Sequence, residues 1–152
     1  MVKTLEKVMV AIGPNDRDYI DNFVSVVESV AKPAGAKVYL LHAFSRDEYD
    51  SLMAQMGMKE TSEGIQPDEL AARHDGVRTP ASHFEEHGLE YEILGTIGNP
   101  ASEVVNQATE HDVDMLFIGG ESQSPTGKAI FGDDAQQILL NAECPVTYLR
   151  RD

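Results

Sequence analysis

Val113-Asp114-Met115-Leu116-Phe117-Ile118-Gly119-Gly120 dictates more of the architecture than any other stretch, being an apolar run too short to cross a membrane that ends in two glycines. Such a run reads as a strand buried on both faces, as in a parallel sheet, whose carboxyl end releases the chain into a tight loop. A Ser/Pro/Gly/Lys-containing loop, residues 121–130, follows, and then Phe131, Ala135, Ile138, Leu139 and Ala142 recur at helical spacing. That stripe lays a helix against the sheet. Strand, Gly-rich loop and helix N-terminus together can hold an anion, because unpaired amide groups and the positive end of the helix dipole converge there.

The remaining chain supplies the partners such a strand needs. Lys7 to Ile12 is a first strand that exits through the turn formers Gly13, Pro14, Asn15 and Asp16. Ile20, Phe23, Val24, Val27, Val30 and Ala31 mark a helix that Pro33 and Gly35 are expected to stop, and Lys37 to Phe44 is a second buried strand. Strand, helix, strand in that order gives a right-handed crossover and a parallel pair. Residues 45–88 are harder to read: Tyr49, Leu52, Met53 and Met56 suggest a helix ending near Gly57, and Pro67 is expected to open another through Leu70, Ala71, His74 and Val77. Lys59 to Gln66 is polar, Pro80 is expected to kink or restart the segment, and Gly88 fits a helix C-terminus. Leu89 to Gly95 alternates as a strand with Glu90 and Glu92 toward solvent, Asn99-Pro100 caps and starts a helix, and Pro145 to Leu149 is a last strand. The alternation βαβαβαβαβ predicts one α/β domain over residues 1–152, an open sheet of five mostly parallel strands with helices on both faces, Rossmann-like in type. Ligands bind such sheets beyond the carboxyl ends of strands, so the loops Gly13 to Asp16 and Gly119 to Gly132 are expected to meet at the site.

Composition bounds the function. With 152 residues, 26 acidic against 12 basic side chains and a net charge of -14, the chain has a core-sized length and lacks the clustered Lys and Arg of a nucleic-acid surface. Its apolar runs are too short for a membrane span or a signal-peptide core, so no membrane and no nucleic-acid partner is expected, and a cytoplasmic location is. The lone Cys144 reads as a buried, reduced thiol without a neighbouring base to activate it.

The pattern from Val8 to Leu149 resembles the universal stress protein (UspA) family. The resemblance rests on Gly119 and Gly132 at the first and last glycines of a motif with two residues, a glycine and nine residues between them, on Ser124-Pro125-Thr126-Gly127-Lys128, on Gly98-Asn99-Pro100, and on Pro145-Val146. It implies a five-stranded fold of the adenine nucleotide alpha hydrolase type, a stress-response or signalling role without catalysis, and a homodimer built through the last strand at Val146, Thr147, Tyr148 and Leu149. In ATP-binding members of that family the loop amides hold phosphates, a final Ser or Thr adds a hydroxyl, and an Asp after the first strand holds the adenosine end. Three of these positions differ here, with Ser122 for the second glycine, Asp133 for the hydroxyl residue and Gly13 for the Asp. The nucleotide-binding set carried over is Ile12, Gly13, Pro14, Asn15, Gly119, Gly120, Ser122, Gly127, Lys128, Gly132 and Asp133. ATP binding is expected to be weakened or absent, because a carboxylate close to a phosphate costs on the order of a kcal/mol or more unless a cation lies between them.

Asp133 has a structural reading as well, since Asp133 followed by Gln136 is the pattern of a capping box whose carboxylate would use the amides a phosphate needs. The alternative is an ATP-binding switch or slow ATPase, in which Asp133 or Asp134 holds Mg2+ against the nucleotide and Lys128 pairs with a phosphate. This is not a P-loop, as Ser122 and Ala129 stand where that motif needs a glycine and a hydroxyl. His83 and His87 share a helical face, but without a third ligand in view they read as two solvent-facing histidines, and no metal site and no catalytic residue is assigned. His42 reads as a hydrogen-bonded core or rim histidine, and Met53, Met56 and Met58 as core or interface filler.

Overall fold

A computed structural model describes residues 5–13, 20–56, 65–120 and 133–150. Its strands are β1 (Lys7–Ala11), β2 (Lys37–Phe44), β3 (Tyr91–Ile97), β4 (Met115–Gly120) and β5 (Val146–Arg150). Its helices are α1 (Ile20–Ala34), α2 (Arg46–Gln55), α3 (Pro67–Ala72), α4 (Asp75–Glu86), α5 (Pro100–Glu110) and α6 (Asp133–Asn141). One sheet runs in the order β3-β2-β1-β4-β5, every neighbouring pair parallel. From β1 the chain steps outward to β2 and β3, then crosses to build β4 and β5 on the other side, so strand order reverses between β1 and β4. That reversal is where two strand ends splay apart and leave a crevice.

The alternation of side chains along each strand splits the core between two faces. Val8, Val10, Leu40 and Phe117 point to one face and pack beneath α1 and α4 with Phe23, Val27 and Phe84. Met9, Leu41, Leu116 and Ile118 point to the other and meet Val104 of α5 and Ile138 of α6. Each such side chain, fully withdrawn from water, contributes roughly 1.5–3 kcal/mol relative to an exposed one. Asp114, read from sequence as part of the apolar run, precedes β4; its carboxylate accepts from the backbone amides of Glu6 and Lys7 at 2.8 and 3.1 Å and so fixes where β1 begins.

Three helices end in the same way. After α1, Gly35 sits at φ +67°, with its amide donating to the Lys32 carbonyl and that of Ala36 to the Ala31 carbonyl; the paired bonds and left-handed residue make a Schellman turn. Pro33, expected to stop the helix, lies inside its last turn, and Gly35 does the stopping. The expected cap at Gly88 repeats the arrangement after α4, and Asp112 at φ +53° repeats it after α5 with an acidic residue in the glycine's place. Each turn feeds directly into a strand, which sets where β2, β3 and β4 start.

The hard-to-read segment departs most from expectation. One helix was expected from Pro67 to Val77; instead α3 and α4 are separate, because His74 leaves the helical path and accepts from the Gly76 amide at 3.1 Å to cap α4. Pro80 does not restart the segment; it lies buried within the continuous helix α4. β3 is shifted from the expected Leu89 to Gly95 to Tyr91–Ile97, and its Glu-bearing face turns inward at Leu94, which packs under α5. Helices α2 and α3 close a small cluster of Phe44, Met53, Leu70 and Ala71 over the ends of β2 and β3; Met56 is exposed, and Met58 lies outside the described residues.

Candidate functional site

A cavity of about 330 Å³ opens at the reversal point between β1 and β4. That volume is at the lower end of the roughly 300–1,000 Å³ that small-molecule sites occupy. Its floor is apolar, formed by Ala11, Ile12 and Ile118 at the strand ends, by Val104 of α5, and by Ala135 and Ile138 of α6. Gly13 and Gly119 line it where β1 and β4 give out, Ser45 and Glu48 come from the start of α2, and Asp134 comes from the start of α6. Among the described lining residues no Lys, Arg or His occurs, and Glu48 and Asp134 are the acidic ones.

Of the sequence-derived set, Ile12, Gly13 and Gly119 meet at this cavity. Gly120 continues β4 in register with Arg150, and Asp133 is the first residue of α6. Pro14, Asn15, Ser122, Gly127, Lys128 and Gly132 lie outside the described residues, as do the Asp133 side chain and its expected capping role. Glu48, Ser45 and Asp134 complete the rim, and of these the sequence had singled out only Asp134. A signal for the other two was present: Ser45 followed three residues later by Glu48, directly after an apolar strand, is a capping box that starts a helix at the sheet's carboxyl edge. The structure has that start, with Ser45 Oγ accepting from the Glu48 amide at 3.1 Å.

Glu48 is held in place by a fully buried histidine. His42 donates from Nδ1 to the Ile12 carbonyl at 2.7 Å, which can only accept, and presents Nε2 to both carboxylate oxygens of Glu48 at 3.1 Å. These contacts link β1, β2 and the cavity rim. His74 stacks on His42 with ring centroids 4.2 Å apart, closing the far side. His42 is therefore a hydrogen-bonded core histidine, as expected, and it orients a rim carboxylate. Cys144 is partly buried at the other end of β4, and its thiol pKa is raised, chiefly by burial, against an opposing backbone hydrogen bond and with a lesser rise from the nearby Asp114 charge. Nothing there activates a thiolate.

Residues 4–150 match the sequence model of the universal stress protein family. The chain belongs to the universal stress protein family. Among curated relatives, a universal stress protein of Mycolicibacterium smegmatis is 35% identical over 75 residues, which cover 49% of this chain and 56% of that protein. The solved universal stress protein of Archaeoglobus fulgidus is similar over 94% of this chain and 97% of its own, with a TM-score of 0.67 and 24% identity. A universal stress protein of the same organism in complex with dAMP is similar over 96% of this chain and 98% of its own, with a TM-score of 0.61 and 19% identity. These likenesses are to the whole α/β fold expected from sequence. No helix among the described residues of this universal stress protein is long and apolar enough to cross a membrane.

Proposed function

We propose that this universal stress protein is a cytoplasmic, non-enzymatic stress-response or signalling module whose cleft takes the nucleoside end of an adenine nucleotide and holds a triphosphate weakly. The observation that carries this reading is the cleft itself, with apolar walls suited to a flat base and a rim whose described charges are the carboxylates Glu48 and Asp134. A carboxylate a few ångströms from a phosphate opposes it by on the order of a kcal/mol or more at the dielectric of a protein surface. The similar fold that carries dAMP supports the base-and-sugar half of the reading. Equilibrium dialysis should show dAMP retained at least as tightly as ATP with Mg2+, and the protein as purified should release no ATP on denaturation. Glu48→Gln should then raise ATP affinity about five- to tenfold, the equivalent of ~1 kcal/mol. Micromolar binding of ATP and Mg2+ by the unaltered chain would overturn the weak-triphosphate half.

A second reading is favoured by the position of Asp134, which lines the cavity together with Gly119. A divalent cation on that carboxylate would turn repulsion into a bridge, giving an ATP-binding switch or slow ATPase built on the loop from Gly119 to Gly132. In that case Asp134→Asn abolishes a Mg2+ dependence that the first reading does not have.

We also propose a homodimer through β5. The outer edge of β3 meets α3, whereas β5 pairs only with β4 among the described strands, and its Val146, Thr147, Tyr148 and Leu149 are half-buried in the single chain. An uncovered edge of this kind is a template for pairing. Sedimentation at physiological salt should give twice the 16.7 kDa mass of the chain; a monomer over the micromolar range would remove the proposal.

A further inference from the structure

Helices α1 and α4 lie against each other on one face of the sheet, joined below by Val24, Val27, Ala81 and Phe84. At the outer rim of that contact Glu28 of α1 meets His83 of α4 and His87, the residue that follows its last turn. The histidines are four apart, so both project from one helical face. Their rings stack at 4.0 Å with an interplanar angle of 20°. Glu28 Oε1 lies 2.6 Å from His87 Nδ1 and 3.3 Å from His83 Nε2. Despite those distances, neither Glu28 Oε1 nor His83 Nε2 has a partner in hydrogen-bond alignment among the described residues, and both atoms are shut off from water. Buried polar atoms in that condition are destabilising unless something else satisfies them.

We propose that Glu28, His83 and His87 bind a divalent transition-metal ion of the Zn2+ class, bridging α1 and α4. The sequence offers only the two histidines; the fold supplies the third donor from a helix more than fifty residues away. Two imidazole nitrogens and one carboxylate oxygen suit a borderline cation such as Zn2+, Co2+ or Ni2+ and not Mg2+ or Ca2+, which take oxygen donors. The three donor atoms lie within 4.8 Å of one another. The 3.3 Å separation of Glu28 Oε1 from His83 Nε2 matches the edge of a tetrahedron with ~2.0 Å metal-donor bonds. The His87 contact is shorter and opens by a small rotation of the carboxylate. His87 is 42% exposed, which leaves a fourth position for water. A net charge of -14 further concentrates cations at the surface.

His42, Glu48 and His74 meet the same distance condition but not the same chemistry. His74 Nδ1 accepts from the Gly76 amide, which puts the ring proton on Nε2, the nitrogen 4.0 Å from Glu48. That ring offers Glu48 a hydrogen where a metal needs a lone pair.

The test is calorimetric titration of chelator-stripped full chain with Zn2+, with Co2+ substitution read by visible absorption. One equivalent should bind with micromolar affinity, the Co2+ bands should have tetrahedral intensity, and the melting temperature should rise by about 5–10 °C at a hundredfold excess over Kd. His83→Ala and Glu28→Gln should each weaken binding by at least the roughly tenfold that loss of even an outer partner brings, while His74→Gln should leave it unchanged. Absence of saturable Zn2+ binding by the unaltered chain overturns the proposal, and this outcome needs no variant to fold. So does retention of full affinity by a folded His83→Ala, His87→Ala double variant, or loss of binding in a His74→Gln variant whose helix content is unchanged.

Discussion

Phe117→Ala should lower stability by about 3–5 kcal/mol, the loss expected for a fully buried phenylalanine. Phe117 is fully buried in the interior strand β4, in register with Val10 on one side and Thr147 on the other. Its ring fills the space between the sheet and α1, where Phe23, Val24 and Val27 pack, and no neighbouring strand can move in to fill the gap without breaking its own ladder. For a chain of this length each kcal/mol lowers the melting temperature by about 2–4 °C, so a fall on the order of 10 °C is expected. Urea unfolding should show a lower midpoint with an unchanged slope. Phe117→Leu, which keeps most of the volume, should lose about 1.5 kcal/mol or less. Because the cavity at the β1/β4 reversal is walled by Ile118 and α6 on the opposite face, ligand binding well below the melting point should survive Phe117→Ala. A midpoint unchanged by the substitution would mean that the sheet and α1 are not packed as described.

Gly95→Ala should displace α3 and destabilise the chain by about 1–3 kcal/mol, as overpacking does. A Cβ placed on Gly95 would stand 2.0 Å from the Pro67 carbonyl oxygen and 2.4 Å from its carbon. Those are backbone atoms, with no flexible side chain to swing aside, so the helix itself has to move. The move would also pull Asp68 away from the Gly95 amide, which it accepts from at 2.7 Å. The effect should be local: hydrogen exchange should quicken in α3 and in the cluster of Phe44, Met53, Leu70 and Ala71, with the central strands protected as before. Unaltered exchange in residues 67–72 would contradict the close approach on which this expectation rests.

Much of the architecture was legible because burial on both faces writes itself as an unbroken apolar run. β2 was read at its observed bounds, and the caps at Gly88 and Asn99 follow from residues whose conformational or hydrogen-bonding preference is local. The break between α3 and α4 was not legible, since it depends on a histidine leaving the helix to cap the next one, which helical periodicity does not record. Pro33 misled as well: a proline there forfeits the bond to the carbonyl four residues earlier, yet α1 accommodates it in its last turn, and Gly35 ends the helix two residues later. At the site, glycines at strand ends were readable from the chain's own punctuation, whereas Glu48 reaches the cavity only because β2 lies next to β1. The meeting of Glu28 with His83 and His87 is of the same kind, a contact between helices distant in sequence and invisible until they are packed.

The close seat of α3 on β3 also bears on how this molecule meets others. With Pro67 against the Gly95 backbone and Asp68 occupying its amide, that border of the sheet is closed to an incoming chain at Gly95. Strand addition has, among the described borders, an uninterrupted ladder only on the β4–β5 side to extend, and two copies joined there head to head would use it up in both. Such an assembly would terminate itself at a pair and could not propagate into a fibre.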